Sequence, residues 1–308
     1  MPGTAVALFT YNRPDKTAAV LSALARQDMG KLYVFCDGPK NDRDKEAVRQ
    51  NIEIIKSFSN CDKHVQLSKE NQGLARSLIS GISTAFESAE SLVILEDDCL
   101  PLPNMMSFIE QNLSHWREFP DVFSISAHHF IRGVALKRLP YDIFFSKRFL
   151  CWGWATWRNR WLDIEHELEK MINPFGSFEK VPQEAGKDLP FHAYTFEKNQ
   201  VDSWAIPLAL ITLERNYRHV MPRLPLVSNM GMDGSGTHCG SASTYIRPEG
   251  DVRYGLSVKM CPPDYEDMKI NRAFSESMMV PPKWFESKLA EKSRKSETED
   301  SAHSEASV

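Results

Sequence analysis

The first hundred residues alternate three times between short apolar runs and segments whose apolar residues recur at helical spacing. The apolar runs are of strand length and cover residues 4–10, 32–36, 65–67 and 91–95. Alternation of this kind is typical of βαβ units, whose consecutive strands lie parallel beneath packed helices. The sequence therefore predicts an α/β, Rossmann-like fold with a mostly parallel central sheet and helices on both faces.

The pattern loosens after Pro103. Two helices and one strand are predicted in this part, at residues 105–119, 203–215 and 122–127. Residues 229–238 are too rich in glycine for regular structure. From residue 286 onward almost nothing is apolar, which predicts a disordered polar tail over 286–308. We expect a single domain over residues 1–285, with a regular half at 1–103 and an irregular half at 104–285.

Composition and charge narrow the class of protein. The chain has 308 residues, 42% of them apolar and 25% charged, which fits a globular protein and excludes disorder of the whole chain. Its formal charge of -4 argues against a nucleic-acid-binding protein, which would show a basic surplus. No apolar stretch approaches the ~20 residues of a membrane helix, and no secretory signal is evident. We expect a cytoplasmic protein; peripheral attachment to the inner face of a membrane stays open.

The cysteines indicate a reducing environment. They are widely scattered and form no CxxC pair, at Cys36, Cys61, Cys99, Cys151, Cys239 and Cys261. This distribution fits reduced thiols better than a disulfide framework or a zinc site.

Three acidic residues, Glu96, Asp97 and Asp98, follow the fourth apolar run and precede a proline. A buried strand would deliver these carboxylates to the carboxyl edge of the sheet, where ligands of open α/β folds bind. Crowded carboxylates are unfavourable unless a cation or hydrogen-bond donors accompany them. The pattern favours a divalent metal that holds a phosphorylated ligand; the alternative is an acidic loop in water.

Several motifs together resemble nucleotide-sugar-dependent glycosyltransferases of the GT-A fold. They are FTYNRP at 9–14, EDD at 96–98, WGW at 152–154, DSW at 202–204 and DGSGTH at 233–238. The resemblance covers about residues 4–245. It is closest to family 2-like bacterial enzymes that build surface polysaccharides, and more distant to the N-acetylglucosaminyltransferase that starts complex N-glycans. It implies a nucleotide-binding first half and an acceptor-binding second half.

The resemblance implies a set of nucleotide-sugar-binding residues. Arg13 should lie beside the diphosphate or base, and its guanidinium suits phosphate recognition; in isolation it is equally a surface arginine in a turn. Asp37 should accept a hydrogen bond from the base, although Asp-Gly-Pro is also a turn signal. The full set is Thr10, Tyr11, Arg13, Asp37, Asn71, Arg76, Glu96 and Asp97.

For the metal, the resemblance implies Mn²⁺ or Mg²⁺ on Asp98, with His238 as a second ligand or a phosphate contact. One carboxylate combined with phosphate oxygens and waters is a common way to hold such ions with nucleotides. The alternative for His238 is a solvated side chain in a glycine-rich loop. The neighbouring pair His128 and His129 has no acidic partner nearby in sequence, and we expect it to be structural.

Asp202 is the predicted catalytic base. An inverting transfer needs a carboxylate to take the proton of the acceptor hydroxyl. The alternative is a helix N-cap, a common role for aspartate. The chain departs from the pattern of the family it resembles here, because Trp204 is followed by Ala205-Ile206-Pro207 without another acidic residue.

Aromatic residues are predicted at the acceptor site. Trp152 and Trp154 flank Gly153, and we expect one of the two tryptophans to contact the sugar while Trp157 and Trp161 pack in the core. The predicted acceptor-binding set is Trp152, Gly153, Trp154 and Trp204.

The sequence therefore predicts an inverting, metal-dependent glycosyltransferase that moves a sugar, from a UDP-sugar by default, to a hydroxyl of a glycan or glycolipid. A catalytically inactive relative that acts as a binding or assembly subunit is the alternative. A sugar nucleotidyltransferase is disfavoured, since no glycine-rich phosphate loop lies between Gly3 and Gly30. Phosphoryl transfer through an aspartate nucleophile is discounted because the acidic strand comes fourth.

Overall fold

The computed structural model describes residues 3–131, 136–233, 257–266, 268–278 and 280–285. The strands are β1 Ala5–Thr10, β2 Leu32–Cys36, β3 Lys63–Leu67, β4 Ser91–Glu96, β5 Cys99–Pro101, β6 Val122–Ser126, β7 Ile143–Ser146, β8 Trp154–Trp157, β9 Arg218–Pro222 and β10 Val227–Asn229. The helices are α1 Pro14–Leu24, α2 Lys45–Ser57, α3 Leu74–Phe86, α4 Met105–Trp116, α5 Arg158–Glu169, α6 Leu189–Glu197, α7 Ala205–Glu214 and α8 Met268–Ser277.

Eight of the strands form the central sheet, in the order β3-β2-β1-β4-β8-β6-β9-β7. The first four are parallel to one another, as the alternation of apolar runs and helices predicts. In the remainder, β8 pairs antiparallel with both β4 and β6, β9 is parallel to β6, and β7 is antiparallel to β9. The prediction of an α/β fold with a mostly parallel sheet is confirmed.

Different helices cover the two faces of the sheet, because successive residues of a strand point to opposite faces. Val6 and Leu8 of β1 pack in a core with α1, α2 and α4. Ala7 and Phe9 of the same strand pack on the other face with α3, α5 and α7. The inner strands β1, β2 and β4 are almost wholly buried, which explains their continuous apolar sequences.

The starts of helices α1 and α7 leave two aspartates outside the N-cap position. Helix α1 begins at Pro14, where a missing N–H is tolerated, so Asp15 lies in the first turn and is not the N-cap. Helix α7 begins at Ala205 with Trp204 at the N-cap, and Asp202 therefore precedes the helix.

A small second sheet pairs β5 antiparallel with β10 and places Asn229 opposite Cys99. This pairing holds the chain around residue 230 against the acidic residues that follow β4. Within the described part of the chain, no helix is long and apolar enough to cross a membrane. The predicted tail over residues 286–308 lies outside the described residues.

Candidate functional site

A cleft of about 360 Å³ opens where β1, β2 and β4 end at their carboxyl termini. Many residues predicted from the sequence line it: Thr10, Tyr11, Arg13, Asp37, Asn71, Glu96, Asp97, Asp98, Trp152, Asp202 and Trp204. The cleft also has lining residues that were not predicted: Phe9, Lys40, Gly73, Leu74, Ser77, Cys151, Ser203, Ala205 and Asn229. The sheet edge thus brings together residues as far apart in sequence as Phe9 and Asn229.

Arg13 joins the acidic residues to the first strand. Its Nη1 donates to Asp98 Oδ2 at 2.9 Å, and its Nη2 forms an ion pair with Asp97 Oδ1. The backbone N–H of Tyr11 donates to Asp97 Oδ2 at 3.4 Å. One guanidinium therefore bridges two neighbouring carboxylates, and no hydrogen bond reaches the Glu96 carboxyl from the described residues.

Two of the carboxyl groups in the cleft, those of Glu96 and Asp97, are difficult to ionise. Loss of solvation, together with repulsion from Asp98 and Asp97, raises the pKa of Glu96 to about 8. Burial also raises the pKa of Asp97 to about 6, although the Arg13 guanidinium opposes this effect. Full ionisation of these two groups beside Asp98 would thus place more negative charge in the ligand-free cleft than Arg13 balances.

The residues around Asp98 lead into the glycine-rich loop. The Met230 N–H donates to the Asp98 carbonyl oxygen at 2.7 Å. At Gly231, an added Cβ would lie only 2.5 Å from Asp98 Oδ2, so glycine allows the backbone to approach the carboxylate. His238 follows in the part of the loop that lies outside the described residues.

The donor set fits a divalent ion held jointly with a nucleotide. Among the described residues, no group of three metal-ligating side chains is placed to hold an ion by itself. Asp98 offers hard carboxylate oxygens in the cleft, and Mg²⁺ or Mn²⁺ commonly uses one or two carboxylates with phosphate oxygens and waters. A diphosphate entering beside this acidic turn also requires further positive charge.

Asp37 is the centre of a tightly bonded corner between β2 and α3. Its Oδ1 accepts from the N–H groups of Gly38 at 2.9 Å and Gln72 at 2.8 Å. Its Oδ2 accepts from Gly73 N–H at 3.1 Å and from Asn71 Nδ2 at 3.0 Å. Gly73 adopts a positive φ of 79°, which glycine permits without strain.

Tyr11 is fixed on the neighbouring side of the cleft. Its hydroxyl donates to Asp44 Oδ2 at 2.7 Å and accepts from the Lys40 N–H at 3.0 Å. Burial, together with this hydrogen bond to Asp44, raises the pKa of Tyr11 to about 12. Thr10 is nearly buried, and its Oγ1 donates to the Phe35 carbonyl at 3.4 Å.

Asp202 lines the cleft as an exposed carboxylate that accepts no hydrogen bond from the described residues. The N-cap of α7 is Trp204, and no side chain caps this helix. The local geometry therefore does not support the alternative role of Asp202 as a helix N-cap.

The tryptophans divide between the cleft and the core. Trp152 lines the cleft and packs against His128 and Phe130 at ring-centroid distances of 4.8 and 4.9 Å. Trp154 is fully buried in β8 and does not line the cleft, which corrects its predicted contact with the acceptor. Trp157 and Trp161 are buried, as predicted.

Two other predicted contacts also lie elsewhere. Gly153 does not line the cleft; it has a φ of 68°, and an added Cβ would lie 2.7 Å from Val227 Cγ2, so packing explains the glycine. Arg76 lies on the exposed surface of α3, outside the cleft lining. No sequence pattern indicates Asn229 as a site residue, because only the β5–β10 pairing brings it to the acidic turn.

No family model matches the sequence, and no curated protein matches it. The structure is similar to that of a mannosyltransferase from Pyrobaculum calidifontis in complex with GDP-Man and Mn²⁺, with 16% identity, 70% of this chain and 74% of that chain covered, and a TM-score of 0.38. It is also similar to a UDP-glucose pyrophosphorylase complexed with UDP-glucose, with 12% identity, coverage of 71% and 90%, and a TM-score of 0.35.

Proposed function

We propose that this chain is an inverting, divalent-metal-dependent glycosyltransferase that uses a nucleotide diphosphate sugar, with UDP as the expected nucleotide. The acceptor is a hydroxyl of a glycan or glycolipid, and the motif resemblance supports a role in surface polysaccharide synthesis. One observation carries the proposal: the acidic turn with Arg13 and the exposed Asp202 carboxylate line the same cleft at the carboxyl edge of a parallel sheet.

Asp202 is the proposed base. Its exposed carboxylate takes the proton of the acceptor hydroxyl, whose oxygen bonds to the anomeric carbon as the bond from that carbon to the diphosphate oxygen breaks. Trp152 presents an aromatic face on which the acceptor ring can pack. The absence of other bonds to Asp202 among the described residues leaves both of its oxygens available.

Arg13 and Asp98 are the proposed diphosphate and metal residues. When bound, Mn²⁺ or Mg²⁺ neutralises the charge that develops on the departing diphosphate. Asp98 would hold the ion, with His238 as the proposed second ligand or phosphate contact. Arg13 offers planar donors to phosphate oxygens, and Glu96 and Asp97 are proposed to face the ribose.

The test is release of nucleoside diphosphate from UDP-, GDP- and dTDP-sugars, with Mn²⁺ and with EDTA. We expect slow release from one donor that requires metal and is lost in Asp98→Asn. Asp15→Asn is the matched control, because Asp15 is an exposed carboxylate outside the cleft. Metal-dependent binding of the same donor should be measured by calorimetry for all three proteins. Absence of both release and metal-dependent binding for every donor would favour a binding or assembly subunit.

A further inference from the structure

The Asp37 carboxylate has no remaining capacity to accept a hydrogen bond. An ionised carboxylate offers about four lone-pair sites, two on each oxygen. Gly38 and Gln72 fill those of Oδ1, and Gly73 and Asn71 fill those of Oδ2. Asp37 therefore contributes to ligand binding by fixing the backbone conformation of the corner between β2 and α3.

The corner cannot easily open to free Asp37. An added Cβ at Gly38 would lie 2.5 Å from the Glu70 carbonyl carbon, so the two loops are in direct backbone contact. Three of the four donors to Asp37 are backbone N–H groups. The Gly38 N–H is buried, and a ligand that displaced it from Asp37 would leave it without a partner, which is unfavourable.

Asn71 is oriented by the same bonds. Its Nδ2 donates to Asp37 Oδ2 and to the Gly38 carbonyl oxygen, both at 3.0 Å. Because both partners can only accept, the amide nitrogen must face them, and Oδ1 must face away. Within the described residues, no donor is bonded to Asn71 Oδ1, and Asn71 lines the cleft.

We propose that Asn71 Oδ1 is the acceptor that this chain presents to the nucleobase, with Asp37 as its positioning residue. This inference rests on the proposed use of a nucleotide sugar. An amide oxygen accepts only, so the site selects a base with a ring N–H beside its carbonyl oxygens, as in uracil, thymine or guanine. Cytosine and adenine present a ring nitrogen lone pair there and are disfavoured, because two acceptors would face each other without a proton between them.

The test is calorimetry of UDP, dTDP, GDP, CDP and ADP binding to the full chain with Mn²⁺. At least one of the first three should bind about tenfold or more tightly than CDP and ADP. In Asn71→Ala the preferred nucleotide and CDP should bind within about threefold of each other. Lys69→Ala is the matched control, since Lys69 is exposed on the same loop outside the cleft and should keep the preference.

A second variant and a modified ligand keep the test decisive. If Asn71→Ala loses its cooperative thermal transition, Asn71→Leu replaces it, because leucine keeps the approximate shape of the side chain and has no atom that accepts a hydrogen bond. If UDP is the preferred nucleotide, N3-methyl-UDP, which lacks the ring N–H, should bind wild type about tenfold more weakly but should lose nothing further in the Asn71 variant.

The outcomes separate this inference from the proposed function. A preference that survives in the folded Asn71 variants and disappears in Asp37→Asn overturns the assignment to Asn71. Equal binding of all five nucleotides to wild type overturns it as well, while leaving the glycosyltransferase proposal intact. If no nucleoside diphosphate binds, both are wrong.

Discussion

At the scale of single residues, the Glu96 carboxyl resists ionisation more strongly than its neighbour Asp97. Its pKa is raised to about 8, whereas a glutamate in an unfolded chain has a pKa of about 4.3. Between these values the folded state binds more protons than the unfolded state, so this residue lowers the free energy of unfolding as the pH rises. Asp97, whose pKa is raised to about 6, also lowers the free energy of unfolding as the pH rises, but over a narrower pH range.

Glu96→Gln should therefore stabilise the ligand-free protein, and more at pH 8.5 than at pH 5. At pH 5 the native glutamate is protonated and resembles glutamine, whereas at pH 8.5 it carries a charge that the cleft disfavours. We expect the gain to grow by about 1.4 kcal/mol or more, the equivalent of one pKa unit. Urea unfolding in EDTA at both pH values measures it, with the exposed Glu87→Gln as control. An equal gain at both pH values would contradict this account.

Asp202→Asn should leave stability and donor binding unchanged and should lower transfer by about 10²–10⁴-fold, the usual contribution of a general base. The residue is exposed, precedes α7 and makes no hydrogen bond to the described residues, so folding does not depend on it. Transfer rate, donor affinity and melting temperature should be measured together. Wild-type turnover in this variant would show that Asp202 is not the catalytic base, and a lowered melting temperature would show that Asp202 contributes to stability.

At the scale of elements, β8 depends on the backbone geometry of Gly153. This glycine has a φ of 68°, and its Cα faces Val227 of β10 and Leu95 of β4. The absence of a side chain at Gly153 therefore allows β4, β8 and β10 to pack closely against one another beside the acidic turn.

Gly153→Ala should destabilise the protein by about 2–4 kcal/mol, because strain at positive φ adds to a clash in a packed core. Gly176→Ala is the matched control: Gly176 has a φ of 78°, but an added Cβ there would meet no atom within 4 Å. It should cost about 1 kcal/mol, from backbone strain alone. Urea denaturation of the two variants distinguishes them. Equal losses would show that packing against Val227 contributes nothing.

The elements also show what sequence patterns can reveal. Strands β1, β2 and β4 were predictable because inner parallel strands are continuous apolar runs. Strands β7 to β9 were not, since each is short and pairs with partners distant in sequence. Motifs identified the acidic turn and Asp202 as candidate site residues. The four hydrogen bonds accepted by Asp37 and the bonds from Arg13 to Asp97 and Asp98 depend on tertiary contacts, which no local sequence pattern encodes.

At the scale of the whole molecule, a buried ion pair connects the chain after β7 to the start of α6. Arg148 and Asp188 are 8% and 2% exposed, and Nη2 lies 3.1 Å from Oδ2. Burial by itself would raise the pKa of Asp188, but Arg148 and His192 lower it below its usual value. Its stabilising contribution is therefore present at neutral pH and is lost as the pH falls through that lowered pKa.

Arg148→Met should destabilise the protein by about 3–5 kcal/mol at pH 7.5, because it leaves a buried carboxylate without its cation. The loss should shrink at pH 5, where Asp188 of the variant can take up a proton. Urea unfolding at the two pH values tests this. Arg49→Met is the control: Arg49 pairs with Glu46 and Glu53 on the exposed surface, and its replacement should have no measurable effect. If Arg148→Met lowers the free energy of unfolding equally at both pH values, the loss comes from side-chain packing and not from the charge of Asp188.

The insertion of β8 beside β4, and of β10 beside β5, has a consequence for cutting the chain. A fragment ending at residue 103 would contain the acidic turn but would expose the β4 edge that β8 covers. An open, apolar strand edge recruits other chains. The 1–103 and 104–285 pieces should therefore aggregate when made alone and should reconstitute when made together, so fragment complementation would serve as a direct assay for assembly of this cleft.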